Sequence, residues 1–457
     1  MIEQGTQSAR SLALDVLTEI ERKDAFSNLE LNAALNKANL TRREAGLATE
    51  LVYGTLSRLN TLDWIATQFV KKPTHRLEPW LRNLLRLALY QLHYLDRIPD
   101  RAIVHEAVEE AKKHGHKGTV SLVNGVLRNY LREKEQLNPP TQWPKFKKIA
   151  LEHSHPEWLV KRWLSAFGEK ETIAMCKTNN LPPTLSVRVN TLRISKQAFI
   201  ARLQQEIPDA VIEESLLSDV GLLVSHAGNI ANSPLFNEGL CAIQDESSML
   251  VGQAMDVQPE MAVLDTCAAP GGKTAHLAER MGNRGSILAL DIHPHKLQLI
   301  DETVERLGIT IVDTMEADAR ALPESFQQAQ FDRILVDAPC SGFGVIRRKP
   351  DLKWQKQVED ITAIAAMQME LLEQAVRCLK PGGKLVYSTC TVDPEENGRL
   401  IHRFLDSHTE FELDPSLVDD MPPLLRERFH QSGAYIQILP HYFSSDGFFI
   451  SRLRKRV

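Results

Sequence analysis

The sequence predicts a multidomain protein with an all-α N-terminal domain, a small α/β module and a C-terminal domain built on a doubly wound α/β sheet. Three patterns predict this organisation. Apolar residues first recur at helical spacing, strands and helices then alternate briefly, and the order strand, loop, helix finally repeats. The 457 residues are 43% hydrophobic, enough to form several cores. We expect domains at residues 1–139, 140–238 and 239–457.

The composition indicates a soluble, cytoplasmic protein. A formal net charge of −5 argues against general attraction to nucleic acid, although local basic faces remain possible. No basic and apolar leader follows Met1, and no run of about 18 apolar residues occurs. The six cysteines are scattered without a C-x-x-C pair, so we expect free thiols and no metal site.

Helical spacing extends over residues 8–135, beginning with Leu12 and Val16, and predicts the all-α domain. Its two basic clusters, KKPTHR at 71–76 and KKHGHK at 112–117, are more typical of solvated helix ends than of an RNA-binding site. A linker with several prolines then leads into the middle module, where we expect strands at 184–192 and 220–225 on either side of a helix.

The C-terminal domain is predicted from apolar strands that precede loops and helices. The strands are expected at 261–265, 286–291, 331–337 and 382–389. Continuous apolar runs of this kind favour parallel strands buried on both faces. Ligands of such sheets bind beyond the carboxyl ends of the strands, where the strand order switches.

The loop after the first of these strands, DTCAAPGGKT at 265–274, is similar to a phosphate-binding loop but lacks its first glycine, because Cys267 occupies that place. Its glycines allow a ligand to approach the backbone closely, yet the loop has no obvious means of enclosing a triphosphate. A nucleoside with a small zwitterionic tail fits better. The expected binding residues are Cys267, Ala268, Ala269, Pro270, Gly271, Gly272 and Lys273.

Four aspartates fall at or just after strand ends, and their clustering around one Gly-Gly loop indicates a binding site. Asp265 ends the strand at 261–265, and Asp337 ends the strand at 331–337. Asp291 ends the strand at 286–291 and suits a carboxylate that accepts hydrogen bonds from ribose hydroxyls. Asp318, in MEADAR at 315–320, follows a further strand that is expected between 291 and 331, and it could meet a base edge.

Two cysteines also lie where strands meet loops, Cys340 in VDAPCSG and Cys390 in YSTCTVDPEEN. Because both strands end at the same crevice, both thiols could reach one substrate. The cysteines at 176, 241 and 378 are interpreted as packing residues.

Four segments resemble successive motifs of a known family. They are DTCAAPGGKT, VDAPCSGFGVIRRKPDLKW, YSTCTVDPEEN and SDGFFISRL. In this order they resemble the RNA (cytosine-5) methyltransferases of the Sun type. The middle module resembles the RNA-recognition-like segment of some RNA methyltransferases, and the helical domain is similar to the RNA-binding domain NusB. This fusion is found in enzymes that modify small-subunit (16S) ribosomal RNA.

The resemblance implies S-adenosylmethionine as the cofactor, with residues 267–273 at its methionine end, Asp291 at the ribose and Asp318 at the adenine. Asp337 would lie between cofactor and target base. The resemblance makes Cys390 the nucleophile that adds to cytosine C6 and assigns the later release step to Cys340. Asp337 would assist at N3 if it is protonated or shares a proton.

The resemblance further implies a Rossmann-like catalytic domain and ribosomal RNA as the partner. The target cytosine must leave its stack, and we expect the helical domain, the middle module and the terminal RLRKR to contact phosphates. We expect a monomer without membrane association.

Two alternatives remain open from the residues alone. A P-loop NTPase would explain GGKT but leaves both strand-end cysteines without a role. A noncatalytic RNA-binding scaffold would explain only the helical domain.

Overall fold

The computed structural model describes residues 8–23, 25–326, 330–428 and 435–456. The chain forms two compact units, of which the first comprises Met1–Pro182 with Ile346–Lys356 and the second comprises Pro183–Val345 with Gln357–Val457.

The first unit is helical, as the apolar spacing predicts. Its helices before residue 182 are α1 (Ala9–Lys23), α2 (Ser27–Lys37), α3 (Arg42–Ser57), α4 (Leu59–Thr67), α5 (Pro79–Tyr94), α6 (Asp100–His114), α7 (Lys117–Glu133), α8 (Lys145–Glu152) and α9 (Glu157–Thr178). Helix α3 begins with a capping box, in which the Thr41 side chain and Glu44 satisfy each other's backbone amides. Helix α5 is the central element, because most of its residues from Leu81 to Leu92 are buried in the core.

The segment 346–356, called the arm below, belongs to the helical unit although it is far from it in sequence. The Lys353 side chain is fully buried, and its Nζ donates to Ser57 O at 2.9 Å, Ser154 O at 2.7 Å and Asn180 Oδ1 at 3.2 Å. Trp354 Nε1 donates to Leu56 O at 2.7 Å. Burial lowers the pKa of Lys353 well below its ordinary value. The arm is therefore an internal part of the helical unit.

The second unit starts with an antiparallel sheet whose strand order is β2, β3, β1, β4. Its elements are β1 (Leu185–Val189), α10 (Lys196–Glu206), β2 (Val211–Glu214), β3 (Gly221–Ser225), α11 (Pro234–Asn237), β4 (Cys241–Ile243) and α12 (Glu246–Ala254). The two strands and the helix expected in this module are confirmed. The strands β2 and β4 are additional.

The larger sheet carries the remaining elements. They are β5 (Ala262–Asp265), α13 (Gly272–Arg280), β6 (Ser286–Asp291), α14 (Pro294–Leu307), β7 (Val312–Glu316), β8 (Phe331–Asp337), α15 (Leu352–Gln355, within the arm), α16 (Val358–Ala375), β9 (Leu379–Thr389), α17 (Gly398–Ser407), β10 (Phe411–Leu413), α18 (Leu417–Asp420), β11 (Tyr435–Ile438) and β12 (Phe448–Lys455). The four strands expected from apolar runs are β5, β6, β8 and β9.

The strand order of this sheet is β10, β12, β9, β8, β5, β6, β7, and β11 pairs with β12. Strands β5 to β9 are parallel, whereas β10, β11 and β12 are antiparallel additions at one edge. The order switches at β5, which lies between β6 and β8. The carboxyl ends of β5 and β8 consequently border the crevice in which such sheets bind ligands.

Within the described ranges, no helix is both long enough and apolar enough to cross a membrane.

Candidate active site

The Gly-Gly loop lies at the switch point, between β5 and α13. Ala268 N donates to Leu290 O at 2.9 Å, which fixes the loop to the end of β6, and Gly271 N donates to Ala268 O at 2.8 Å. Gly271 has φ of +94°, a conformation that suits glycine and strains other residues. A Cβ added at Gly272 would meet nothing within 4 Å, so space is open beside the first residue of α13.

The other loop residues expected to bind a ligand are close to this point. Cys267 is half-buried against the core, and burial raises the pKa of its thiol to about 12, which keeps it protonated. Ala268 is buried, Ala269 packs against the core, and a cis peptide bond joins Ala269 to Pro270. Lys273 points from the first turn of α13 toward the end of β8.

The strand-end aspartates have different surroundings. Asp265 is buried and accepts a hydrogen bond from Thr274 Oγ1 at 2.7 Å. Asp291 is nearly buried and accepts from His293 N at 3.0 Å. Asp318 lies two residues beyond β7 and forms an ion pair of 2.7 Å with Arg320, whose hydrogen bond lowers the Asp318 pKa. Each therefore lies at a carboxyl end of the sheet, as expected.

Asp337 connects the Gly-Gly loop with the ends of β8 and β9. Its Oδ2 accepts from Lys273 Nζ at 2.8 Å, and its Oδ1 accepts from Ser388 Oγ at 2.7 Å. Burial alone would lower the pKa of Lys273, but the Asp337 charge and hydrogen bond outweigh burial and raise it. The ammonium therefore stays protonated beside the carboxylate.

The two strand-end cysteines are in contact, with Cys340 Sγ 3.2 Å from Cys390 Sγ. The hydrogen bond from the Cys340 thiol lowers the pKa of Cys390, and the nearby Lys273 adds to this effect against the opposing influence of burial and Asp337. The same hydrogen bond raises the pKa of Cys340 well above its ordinary value, together with burial and the neighbouring Glu396. Cys390 is thus the more acidic thiol of the pair.

The loop that carries Cys340 is held by a buried carboxyl group that sequence reasoning did not single out. Glu396 accepts from Ser341 N at 2.9 Å and from Gln368 Nε2 at 3.1 Å, and it also bonds the Ser341 hydroxyl. Ser341 Oγ lies 2.7 Å from Thr391 Oγ1, which follows Cys390. The only signal in the sequence is the charge of the DPEEN motif, which is equally typical of an exposed turn.

Cys176, Cys241 and Cys378 are buried packing residues, as interpreted, and burial raises their pKa values to about 12, 12 and 11. The expectation that RLRKR contacts phosphates is wrong for Arg452. Its guanidinium is fully buried against Asp414 and Asp420, because a residue of β12 that faces inward needs carboxylate partners.

Two buried carboxyls give a prediction for stability against pH. Burial raises the pKa of Asp265 from 3.8 to about 7 and that of Glu396 from 4.5 to about 7. The folded protein therefore binds these protons more tightly than the unfolded chain does. The contribution of these two carboxyls to stability is fully present below about pH 4 and is lost as the pH rises through 7, by roughly 1 to 3 kcal/mol for each carboxyl.

Urea unfolding of the wild type and of Glu396→Gln between pH 4.5 and 8 measures this effect. We expect a shallower decline in the variant, whereas the exposed control Glu410→Gln should follow the wild type. Identical slopes for the wild type and Glu396→Gln would contradict the prediction.

Comparison with known proteins identifies the family of this chain. A family model described as 16S rRNA methyltransferase RsmB/F matches residues 252–454. The NusB family matches residues 7–132, and a ferredoxin-like domain of RsmF/B-like methyltransferases matches residues 155–231. The all-α domain, the middle module and the methyltransferase fold expected from the sequence are thereby confirmed.

Relatives match over nearly the whole chain. A probable ribosomal RNA small subunit methyltransferase B of Bacillus subtilis is 46% identical, covering 98% of this chain and 99% of its own. The crystal structure of PH0851 has a TM-score of 0.80 at 27% identity and covers 98% of this chain and 99% of its own. A methyltransferase homologue from Pyrococcus horikoshii has a TM-score of 0.58 at 30% identity and covers 68% of this chain and 99% of its own.

These matches decide against both the P-loop NTPase and the noncatalytic scaffold. The chain belongs to the RsmB/F family of 16S rRNA methyltransferases.

Proposed function

We propose that this protein transfers a methyl group from S-adenosylmethionine to C5 of a cytosine in 16S ribosomal RNA through a covalent bond between Cys390 and C6. The pair of thiols 3.2 Å apart at the ends of β8 and β9 is the observation that carries the proposal. Cytosine C5 is a poor nucleophile, and addition of a thiolate at C6 is a way to activate it. A methyl transfer to an oxygen or an exocyclic nitrogen would need neither thiol.

The loop and its surroundings fit S-adenosylmethionine. The open space beside Gly272 leaves room for the methionine end near the amino terminus of α13, and residues 267–273 line that end. Asp291 would accept hydrogen bonds from the ribose, Asp318 would face the adenine, and Asp337 would separate cofactor from base. When bound, this cofactor supplies an electrophilic methyl group.

The first step belongs to Cys390. Its thiolate adds to C6, and the electrons of the C5–C6 double bond move toward C5, which can then accept the methyl group. Addition is easier when N3 of the cytosine receives a hydrogen bond or a proton. The pair of Asp337 and Lys273 holds a proton beside the expected position of the base, because the Lys273 ammonium bonds the Asp337 carboxylate directly.

Release reverses the addition. A solvent water takes the C5 proton, the electrons of the C5–H bond form the C5–C6 double bond again, and the Cys390 sulfur departs as a thiolate with the electrons of the C6–S bond. Cys340 acts in this step, and its thiol is within hydrogen-bond distance of the departing sulfur. Glu396 keeps Ser341, and with it the Cys340 loop, in position.

We retain the three-part division at residues 1–139, 140–238 and 239–457, with RNA binding in the first two parts. The NusB and ferredoxin-like matches support the presence of the first two parts. The protein acts as a cytoplasmic monomer on ribosomal RNA. Incubation with 16S rRNA and labelled S-adenosylmethionine, followed by nucleoside mass spectrometry, tests the reaction. Methylation at a position other than cytosine C5 would overturn it.

Gly271→Val is expected to weaken S-adenosylmethionine binding at least about tenfold, measured by calorimetry. The added Cβ would lie 3.1 Å from Ile300 Cα and would force the loop to move, and the positive φ adds strain. Lys273→Ala should also weaken S-adenosylmethionine binding, because it removes the ammonium that holds the Asp337 carboxylate in place.

The matched control is Gly282→Val. Gly282 also has a positive φ, of 63°, but a Cβ there meets nothing within 4 Å, so it carries the backbone strain without touching the loop. Unchanged affinity in Gly271→Val, or an equal loss in Gly282→Val, would remove the loop from the binding site. ATP serves as the competing ligand and is expected not to bind.

A further inference from the structure

We propose that Arg188, the fourth of the five residues of β1, is a positioning residue for the cofactor loop, so that the ferredoxin-like module takes part in cofactor binding. The inference rests on the proposed binding of S-adenosylmethionine at residues 267–273. Arg188 Nη1 donates to Gly272 O at 2.7 Å, and Gly272 is the residue at which the loop becomes α13.

The same guanidinium reaches the other end of α13. Its Nε donates to Glu279 Oε2 at 3.1 Å and its Nη2 donates to Glu279 Oε1 at 2.7 Å, which is the two-pronged arrangement that arginine makes with a carboxylate. Gln244 Oε1, just beyond β4, accepts from Nη1 as well. One side chain of the module therefore fixes both the first turn and the last turn of the helix that follows the loop.

Burial leaves these hydrogen bonds little freedom to change their geometry. The Arg188 side chain is 0% exposed and that of Glu279 is 2% exposed, so neither group has water as an alternative partner. A buried ion pair is costly to desolvate and stabilises a fold only when its remaining donors are satisfied. Arg188 satisfies them partly with the carbonyl of Gly272, so the position of that carbonyl is coupled to the pair.

A lysine at this position could not reproduce the contacts. It keeps the positive charge but has a single nitrogen, which cannot bond Gly272 and both Glu279 oxygens in the planar fork. We therefore expect the Gly272 carbonyl to lose its donor in Arg188→Lys while the charge balance with Glu279 is preserved. The loop then occupies its binding conformation for a smaller fraction of the time, which lowers the apparent affinity for the cofactor.

The test measures the dissociation constant and the KM for S-adenosylmethionine, with kcat at saturating cofactor and the unfolding temperature as parallel readouts. We expect Arg188→Lys to raise the dissociation constant and the KM about tenfold, with kcat within about threefold of the wild type. A residue needed only for folding would lower the amount of active protein without raising the KM of the folded fraction.

Arg333→Lys is the matched control. Arg333 is also buried and bonds Met255 O at 2.9 Å and Asp256 at 3.0 Å, but it lies at the start of β8, at the opposite end of the strand from Asp337. It should lose comparable stability and keep the wild-type KM. An unchanged dissociation constant in Arg188→Lys, or an equal rise in Arg333→Lys, overturns the inference.

If Arg188→Lys does not fold, Gln244→Leu and Glu279→Gln each remove one partner of the guanidinium and leave Arg188 in place. Raised KM values in both would support the inference, and wild-type values in both would overturn it. Failure of the wild-type protein to bind S-adenosylmethionine would instead overturn the proposed function, so the two failures are distinguishable.

Discussion

Replacing Cys390 with serine is expected to lower methylation of ribosomal RNA at least about a thousandfold and to prevent any covalent protein–RNA species. A serine hydroxyl is not ionised beside Lys273 and Asp337, so no nucleophile adds at C6 and C5 stays unactivated. The hydrogen bond that stabilises the Cys390 thiolate, from Cys340 3.2 Å away, then has no anionic acceptor.

The variant Cys340→Ser separates the role of Cys340 from that of Cys390. In Cys340→Ser, addition and methyl transfer still occur but release is slow, so a covalent species should accumulate when RNA and S-adenosylmethionine are present. Denaturing gels with labelled RNA detect it. Cys378→Ala, at a buried packing cysteine just before β9, is the control and should retain wild-type activity without an adduct. An adduct in Cys390→Ser instead would exchange the assignments, and full activity in both serine variants would remove the thiols from the mechanism.

Lys353→Met is expected to destabilise the helical unit by at least about 3 kcal/mol. The substitution keeps most of the side-chain volume but removes the amino group, so the carbonyls of Ser57 and Ser154 and the amide oxygen of Asn180 lose their donor inside the core. Urea unfolding followed by the signal of the helical unit measures the loss.

The exposed Lys349 of the arm provides the control, and Lys349→Met should change stability by less than about 0.5 kcal/mol. Equal unfolding midpoints for the two variants would contradict a structural role for Lys353. The contact with Ser57 also bears on experiments with RNA. Deleting residues 1–139 would remove a partner of Lys353, so the RNA contribution of the helical domain is better tested with substitutions in its basic clusters.

Much of the catalytic site could be predicted from the sequence because a parallel sheet aligns its strand ends. An apolar run followed by Asp265, Asp291, Asp337 or Cys390 predicts both the strand and the side of the sheet on which the residue lies. The contact between Cys340 and Cys390 then follows from the pairing of β8 with β9.

The supporting contacts could not be predicted in this way. Arg188 occupies an alternating strand, where a charged residue normally indicates the solvent face, and its partners lie 56 to 91 positions away. Glu396 lies in a polar motif that fits a surface turn equally well. For both residues, burial depends on an element that is distant in sequence. Local periodicity carries no information about such an element.

The arm also has a consequence for synthesis on the ribosome. The helical unit contains residues up to Pro182, yet its interior includes Lys353, which is translated 171 positions later. At about 5 to 20 residues per second, synthesis of the segment between these points takes roughly ten to thirty seconds. Throughout that interval the carbonyls of Ser57 and Ser154 lack the Lys353 amino group that they bond in the finished protein. The part of the polypeptide that leaves the ribosome first is therefore completed only after four of the eight strands of the larger sheet have been made.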